Sequence, residues 1–185
     1  AALRQEMGLN QPLYVQYFRW VGRVMQGDLG TSIFNDQAVL EMLLGVAEPT
    51  LSIGALGMLI ALLIAIPAGI VSAVRQYQFE DYVATAVSFL GISMPGFWIG
   101  IVLLLVFAVE LSLVPAFGYV SFREGIIPWF QHIILPSLAV GLPYGGIMMR
   151  MTRSSMMEVI QEDYMRTARA KGLDGRIVLF KHGLQ

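Results

Sequence analysis

The densest run of chemically able side chains in this chain of 185 residues is "EDYMRTARAKG", residues 162–172. Glu162 stands four residues before Arg166 and Asp163 three before it, an acid-first order that stabilises a helix. On a wheel drawn from 154 to 171, Met156, Ile160, Tyr164 and Ala168 form an apolar stripe flanked by Met157 and Met165, while Glu162, Arg166 and Arg169 share another face. Lys171 falls in the last turn, where it meets the negative helix end, and Gly172 fits the position beyond it that needs a left-handed conformation. Asp174 can then cap a second helix, with Leu173 stapled onto Val178 and a stripe of Ile177, Phe180 and Leu184. Such a pair of helices binds; it does not make or break bonds. Its apolar stripes need a cover, either lipid or protein. The interleaved acids weigh against anionic lipid, which attracts basic segments.

Bond-making chemistry is scarce elsewhere. The chain has no cysteine and two histidines, His132 and His182. Neither a His-Glu-x-x-His nor a Gly-x-Ser-x-Gly pattern occurs, so nothing points to a metalloprotease or a serine hydrolase. No Gly-x-x-x-x-Gly-Lys-Ser/Thr loop is present to cradle a nucleotide. His132 is expected to hydrogen-bond a backbone group. The methionines of "IMMRMTRSSMM", 147–157, suit Cu(I) by ligand softness but fill irregular gaps far more often, and packing is the reading adopted. No cofactor, metal site or catalytic residue is expected. A net charge of −1 gives no basic signature for nucleic acid.

The elements that must position the charged run are apolar. Charged residues make up 14% of the chain and hydrophobic ones 56%, where a soluble domain carries about 25% charged. Residues 50–74 hold no charge and twelve Leu, Ile or Val, enough for the ~20-residue helix that a bilayer needs. Uncharged runs at 83–109 and 125–149 follow, the last with His132 and three prolines, so that its helix is expected to begin near Trp129. Membrane helices are predicted at 49–74, 83–109 and 126–149. Seven of the twelve Lys and Arg lie between 150 and 181, whereas Arg4, Arg19 and Arg23 face five acids before the first run. The positive-inside rule then places 150–185 in the cytoplasm and 1–48 outside. The loop 75–82 falls inside and is nearly neutral, so it adds little to this assignment. The chain reads as a fragment: it begins at Ala1 without a signal-peptide n-region and stops within an amphipathic piece.

In the outer segment, Asn10 is expected to cap a helix with Pro12 in its first turn. Tyr14, Tyr17, Phe18, Val21 and Met25 share a face of it, and "QGDLGTS" ends it. This helix is expected on the membrane surface or against other spans. Within the runs, Pro67, Pro95, Pro136 and Pro143 invite kinks, and Gly54, Gly57, Gly91, Gly96 and Gly100 allow close helix approach. "SMPGFW" is the sharpest such point, which makes Met94, Pro95, Gly96, Phe97 and Trp98 candidates for a kinked pathway. No Asp, Glu, Lys or Arg lies inside the runs, which weighs against a proton- or sodium-driven carrier.

"DYMRTARAKGL", followed by a basic amphipathic piece, resembles the cytoplasmic loop of ABC-importer permeases of the dipeptide/oligopeptide/nickel group. "GDLGTS" (27–32), "SMPGFW" (93–98), "LVPAFGY" (113–119) and "MTRSSMMEVI" (151–160) resemble the same group, in the same order. The resemblance covers nearly the whole chain. Of the wider importer pattern Glu-Ala-Ala-x-x-x-Gly, the positions of Arg166, Thr167 and Ala168 keep only the last alanine, together with Gly172. The resemblance implies an all-α polytopic fold, the type I ABC-importer transmembrane domain, in a bacterial or archaeal cell membrane. It also implies that Glu162, Asp163, Tyr164, Arg166, Thr167, Ala168, Arg169, Ala170, Lys171 and Gly172 dock as a coupling helix on a separate ATPase. The implied partners are a second, homologous permease subunit, two ATP-binding cassette subunits, an extracytoplasmic solute-binding protein and the lipid bilayer. Peptides are the implied substrates, with nickel and related small solutes as the variants. A channel or secondary carrier with a regulatory cytoplasmic loop is the alternative.

Overall fold

The computed structural model describes residues 11–165. Among them the chain is helical, and its only extended pairing is one antiparallel bridge between Thr31 and Ala38. Two compact units divide at residue 50.

The first unit carries α1, Leu13–Met25. Pro12 stands at its N-cap, where its carbonyl accepts from the amides of Val15 and Gln16; Asn10, the expected cap, lies outside the described residues. Gly27 ends the helix at φ 83°. Its amide donates to Val24 and that of Asp28 to Arg23, the paired closure that glycine permits and Cβ-bearing residues resist. Tyr14, Tyr17, Phe18 and Met25 are all exposed, so the expected apolar face exists and has no cover within the helix's own unit.

Helix α2, Val39–Val74, is 36 residues long, about 54 Å at 1.5 Å per residue and well beyond a hydrocarbon core of about 30 Å. The second apolar run forms two helices, α3 (Phe79–Ser93) and α4 (Gly96–Leu103), the latter continuing as a π-helix over Leu104–Glu110. Helix α5, Ile126–Gln161, is again 36 residues long. By length and composition α2 and α5 can each cross a membrane, and the bent pair α3–α4 is long and apolar enough to count as a third crossing if its two helices make one span.

Two expectations need correction. Helix α5 begins at Ile126 rather than near Trp129, and Pro136 and Pro143 lie inside it. Pro128 occupies the first turn, where an amide has no intrahelical partner to lose, and Gly125 takes φ 149° at the N-cap. Secondly, the helix expected to start at 154 is not separate from the span before it. Residues 154–161 complete α5, and Glu162, extended at ψ 148°, ends it. That residue resets the phase of the stripe: Met165 is fully buried against Val159 and Ile160, while Tyr164 is exposed.

Small residues set the packing of the second unit. Gly57, Ala61, Ala65, Gly69 and Ala73 recur every fourth residue along α2 and are all buried. Gly57 faces Gly141, Ala61 faces Gly145, and Gly69 faces Thr152, so α2 and α5 run parallel in direct backbone contact. Against α5, Ser88 meets Gly146 and Gly91 meets Leu142, an opposite progression that makes α3 antiparallel. Polar side chains tie α2 at two levels. In its first half, Trp129 Nε1 donates to Ser52 Oγ at 3.3 Å, and Tyr119 Oη lies 3.4 Å from the same oxygen. Near its finish, Ser72 donates to Asp81, which also holds Arg153 of α5.

Candidate functional site

The break between α3 and α4 turns the chain by 100°. It falls at Met94 and Pro95, both extended at ψ 128° and 136°. A proline disfavours the helical region for the residue before it and has no amide to continue the ladder. Pro95 instead becomes the cap of the next helix, its carbonyl accepting from the amides of Trp98 and Ile99.

Two cavities lie on either side of this turn. One of about 920 Å³ is bounded by α4, the 115–118 segment and α5, and is lined by Gly96, Phe97, Phe117, His132, Ala139 and Tyr144 among others. Its volume lies in the range that houses small organic ligands. The His132 ring places Nδ1 2.7 Å from the Pro128 carbonyl, the backbone partner expected of it; a proton on Nδ1 satisfies that oxygen. The second cavity, about 400 Å³, is apolar and lies among α2, α3, α4 and α5. Met94 and Trp98 line it, with Ile64, Val87 and Met149. Of the five candidate kink residues, Gly96 and Phe97 thus border the larger cavity, Met94 and Trp98 the smaller, and Pro95 makes the turn between them.

The polar centre of the unit is one that sequence reasoning missed. Asp81, 4% exposed, is the hub. Arg153 Nε donates to its Oδ1 at 2.8 Å and Nη2 to its Oδ2 at 2.9 Å, a two-pronged contact. The hydroxyl of Ser72, in the last turn of α2, donates to the same carboxylate. The amide of Tyr77 donates to Oδ2 at 3.0 Å, and Thr85 Oγ1 to Oδ1 at 3.4 Å. Tyr77 has φ 61°, uncommon for a residue with a side chain. The loop 75–78, nearly neutral to the eye, is therefore shaped by a buried acid and tied to α5. The pair Arg75–Glu80 sits on the exposed side of the same loop. A partial signal existed: Asp81 lies two residues before an apolar run and Arg153 four after another, which suits partners at one membrane face.

Of the charged run, Glu162, Asp163 and Tyr164 are described and exposed, and Met165 is buried. Arg166, Thr167, Ala168, Arg169, Ala170, Lys171 and Gly172 lie outside the described residues, as does the helix expected after Gly172. Met149 and Met156 are buried in helix packing, and no group of His, Asp or Glu among the described residues could hold a metal ion.

Similarity to known proteins follows the same segments. The family described as binding-protein-dependent transport system inner membrane component matches residues 65–184. A probable peptide ABC transporter permease of Sinorhizobium fredii is 40% identical over 185 residues, all of this chain and 59% of the relative. An oligopeptide transport system permease of Bacillus subtilis is 40% identical over 98% of the chain and 58% of its own length. A glutathione transport system permease of Salmonella paratyphi A is 40% identical over the whole chain and 58% of its own. The chain thus spans somewhat under three fifths of the length of these relatives.

Proposed function

Because the chain belongs to the family of binding-protein-dependent transport system inner membrane components, we propose that it is the permease part of an ATP-driven importer, with peptides as the substrate class. It forms one half of a translocation pathway in a bacterial inner membrane, beside a second permease subunit. A solute-binding protein delivers substrate from outside, and two ATPase subunits grip the 162–172 run from the cytoplasm. Residues 1–48 lie outside and 150–185 inside.

One observation carries the reading. The helix that walls the larger cavity, from His132 to Ile147, continues without interruption to Gln161 and delivers the chain into the charged run. The cavity wall and the helix end from which the docking segment departs therefore belong to one rod. A displacement imposed at the docking end tilts the wall, which is the geometry that alternating access requires. The names of the relatives, which include peptide, oligopeptide and glutathione permeases, support the substrate class.

The test uses the full-length permease with its partner subunits in proteoliposomes. Peptide uptake is expected only with ATP inside and the binding protein outside. Gly172→Val is expected to reach the membrane in normal amounts, to lose the ATPase on purification, and to lose uptake. Uptake that follows a proton gradient without ATP would instead support the secondary-carrier alternative.

A further inference from the structure

We infer that Asp81 and Arg153 are positioning residues that couple the α2–α3 hairpin to the docking end of α5, so that both move as one body during transport. The inference rests on the proposed importer function.

Arg153 lies on α5 between the cavity wall and the helix end at Gln161. Its guanidinium is fixed by two bonds to one carboxylate, at 2.8 and 2.9 Å, so it cannot rotate without breaking both. That carboxylate in turn holds the last turn of α2 through Ser72, the hairpin loop through the Tyr77 amide, and its own helix through Thr85. Four structural elements therefore converge on one buried group.

Packing alone does not require this arrangement. The helices are already in backbone contact along the small-residue stripe from Gly57 to Gly69, and apolar residues of similar volume commonly replace a buried ion pair without loss of stability. What an ion pair adds over apolar packing is direction. A stripe of glycine and alanine allows helices to slide or roll on one another; a two-pronged contact at its cytoplasmic end does not. The exposed Arg75–Glu80 pair in the same loop lacks that constraint, since water competes for both partners. A push on α5 from residues 162–172 thus reaches α2 through Arg153, Asp81 and Ser72.

The test uses the full-length importer complex, with its ATPases and binding protein, in nanodiscs and proteoliposomes. Spin labels are placed on Gln78→Cys and Ser155→Cys, two exposed positions flanking the contact. The wild-type background is expected to give one narrow distance that is the same with and without ATP. Asp81→Asn is expected to broaden that distance and make it respond to nucleotide. In parallel, the ATP hydrolysed per peptide transported is expected to rise about fivefold or more, the lower range of inter-site coupling, with the ATPase still bound. Arg153→Lys keeps the charge but not the two prongs, and is expected to fall between; it carries the same two readouts if Asp81→Asn fails to assemble. A merely structural pair would lower the yield of complex and leave the ATP-to-peptide ratio of the assembled fraction unchanged, and that result, or an unaltered distance in both variants, overturns the inference. Failure of the importer reading itself shows differently, as a wild-type complex without ATP-dependent uptake.

Discussion

A β-carbon on Gly141 would lie 2.6 Å from the carbonyl oxygen of Gly57, and the obstructing atom is backbone. No rotamer change relieves that clash. Gly141→Ala should force α2 and α5 apart and cost about 1–3 kcal/mol, the usual range for overpacking. Gly54→Ala, which would meet nothing within 4 Å, should be neutral or slightly stabilising, since alanine is the better helix former. Thermal unfolding of the full-length protein in detergent checks both. Equal midpoints for the two variants would contradict the close-packed interface.

Ser88 and Gly146 offer a ranking within one contact. Ser88 Oγ donates to the Gly146 carbonyl at 2.7 Å, and a β-carbon on Gly146 would lie 2.8 Å from the Ser88 carbonyl. Removing the hydroxyl with Ser88→Ala should cost about 0.6 kcal/mol, typical of a hydrogen bond between membrane helices. Gly146→Ala should cost more, because Ile92 closes the other side at 3.3 Å. The same unfolding assay should place Gly146→Ala below Ser88→Ala and both below wild type. The reverse order would show that the hydroxyl, not backbone proximity, dominates this contact.

The turn at Pro95 makes a prediction about distance. Helices bent by 100° should place labels on Phe79→Cys and Glu110→Cys about 29 Å apart, against about 46 Å for one straight helix at 1.5 Å per residue. Pro95→Ala restores the missing amide and frees Met94 from its extended bias. A longer component should then appear in the pulsed electron resonance distance distribution. An unchanged distribution would show that packing against α5 sets the turn without the proline.

Topology is checked by labelling in an otherwise cysteine-free full-length protein. Asn35→Cys and Phe117→Cys should react with an impermeant maleimide from outside. Gln78→Cys and Ser155→Cys should react only after the membrane is opened. The charge asymmetry predicts this alternation, and the parallel course of α2 and α5, with α3 antiparallel to α5, agrees with it for the second unit. Labelling of Asn35 and Gln78 from the same side would refute it.

The apolar elements were legible because each follows from composition: 24 uncharged residues from Leu51 to Val74 have no stable place in water. The turn at Pro95 was legible for a local reason, since proline acts on its own neighbour and its own amide. Asp81 was not legible. An acid in a hydrophilic loop reads as solvated, and its burial depends on Arg153, 72 residues later. The overlong α5 was missed for a related reason. Arg150, Arg153 and Glu158 interrupt the apolar signal but not the backbone ladder, and Arg150 keeps contact with an apolar neighbour by lying 5.9 Å over the ring of Phe89. Among the described residues, the phase of the apolar stripe was misjudged at one residue. Nothing in the side chain of Glu162 announces an extended backbone.

The antiparallel fit of α3 against α5 also has a timetable. Ser88 finds its partner at Gly146, 58 residues further along the chain. At ~5–20 residues per second, a ribosome takes several seconds to supply it. During that interval the break at Met94 and Pro95 has been made, but the helix that flanks it has not. Exposed backbone in hydrocarbon costs several kcal/mol per group, so the second pass is the step at which a nascent chain is most open to being drawn back into the translocon or recognised by membrane quality control. Substitutions that weaken its fit to α5 should be felt first as lost yield at birth, before any assay of transport can read them.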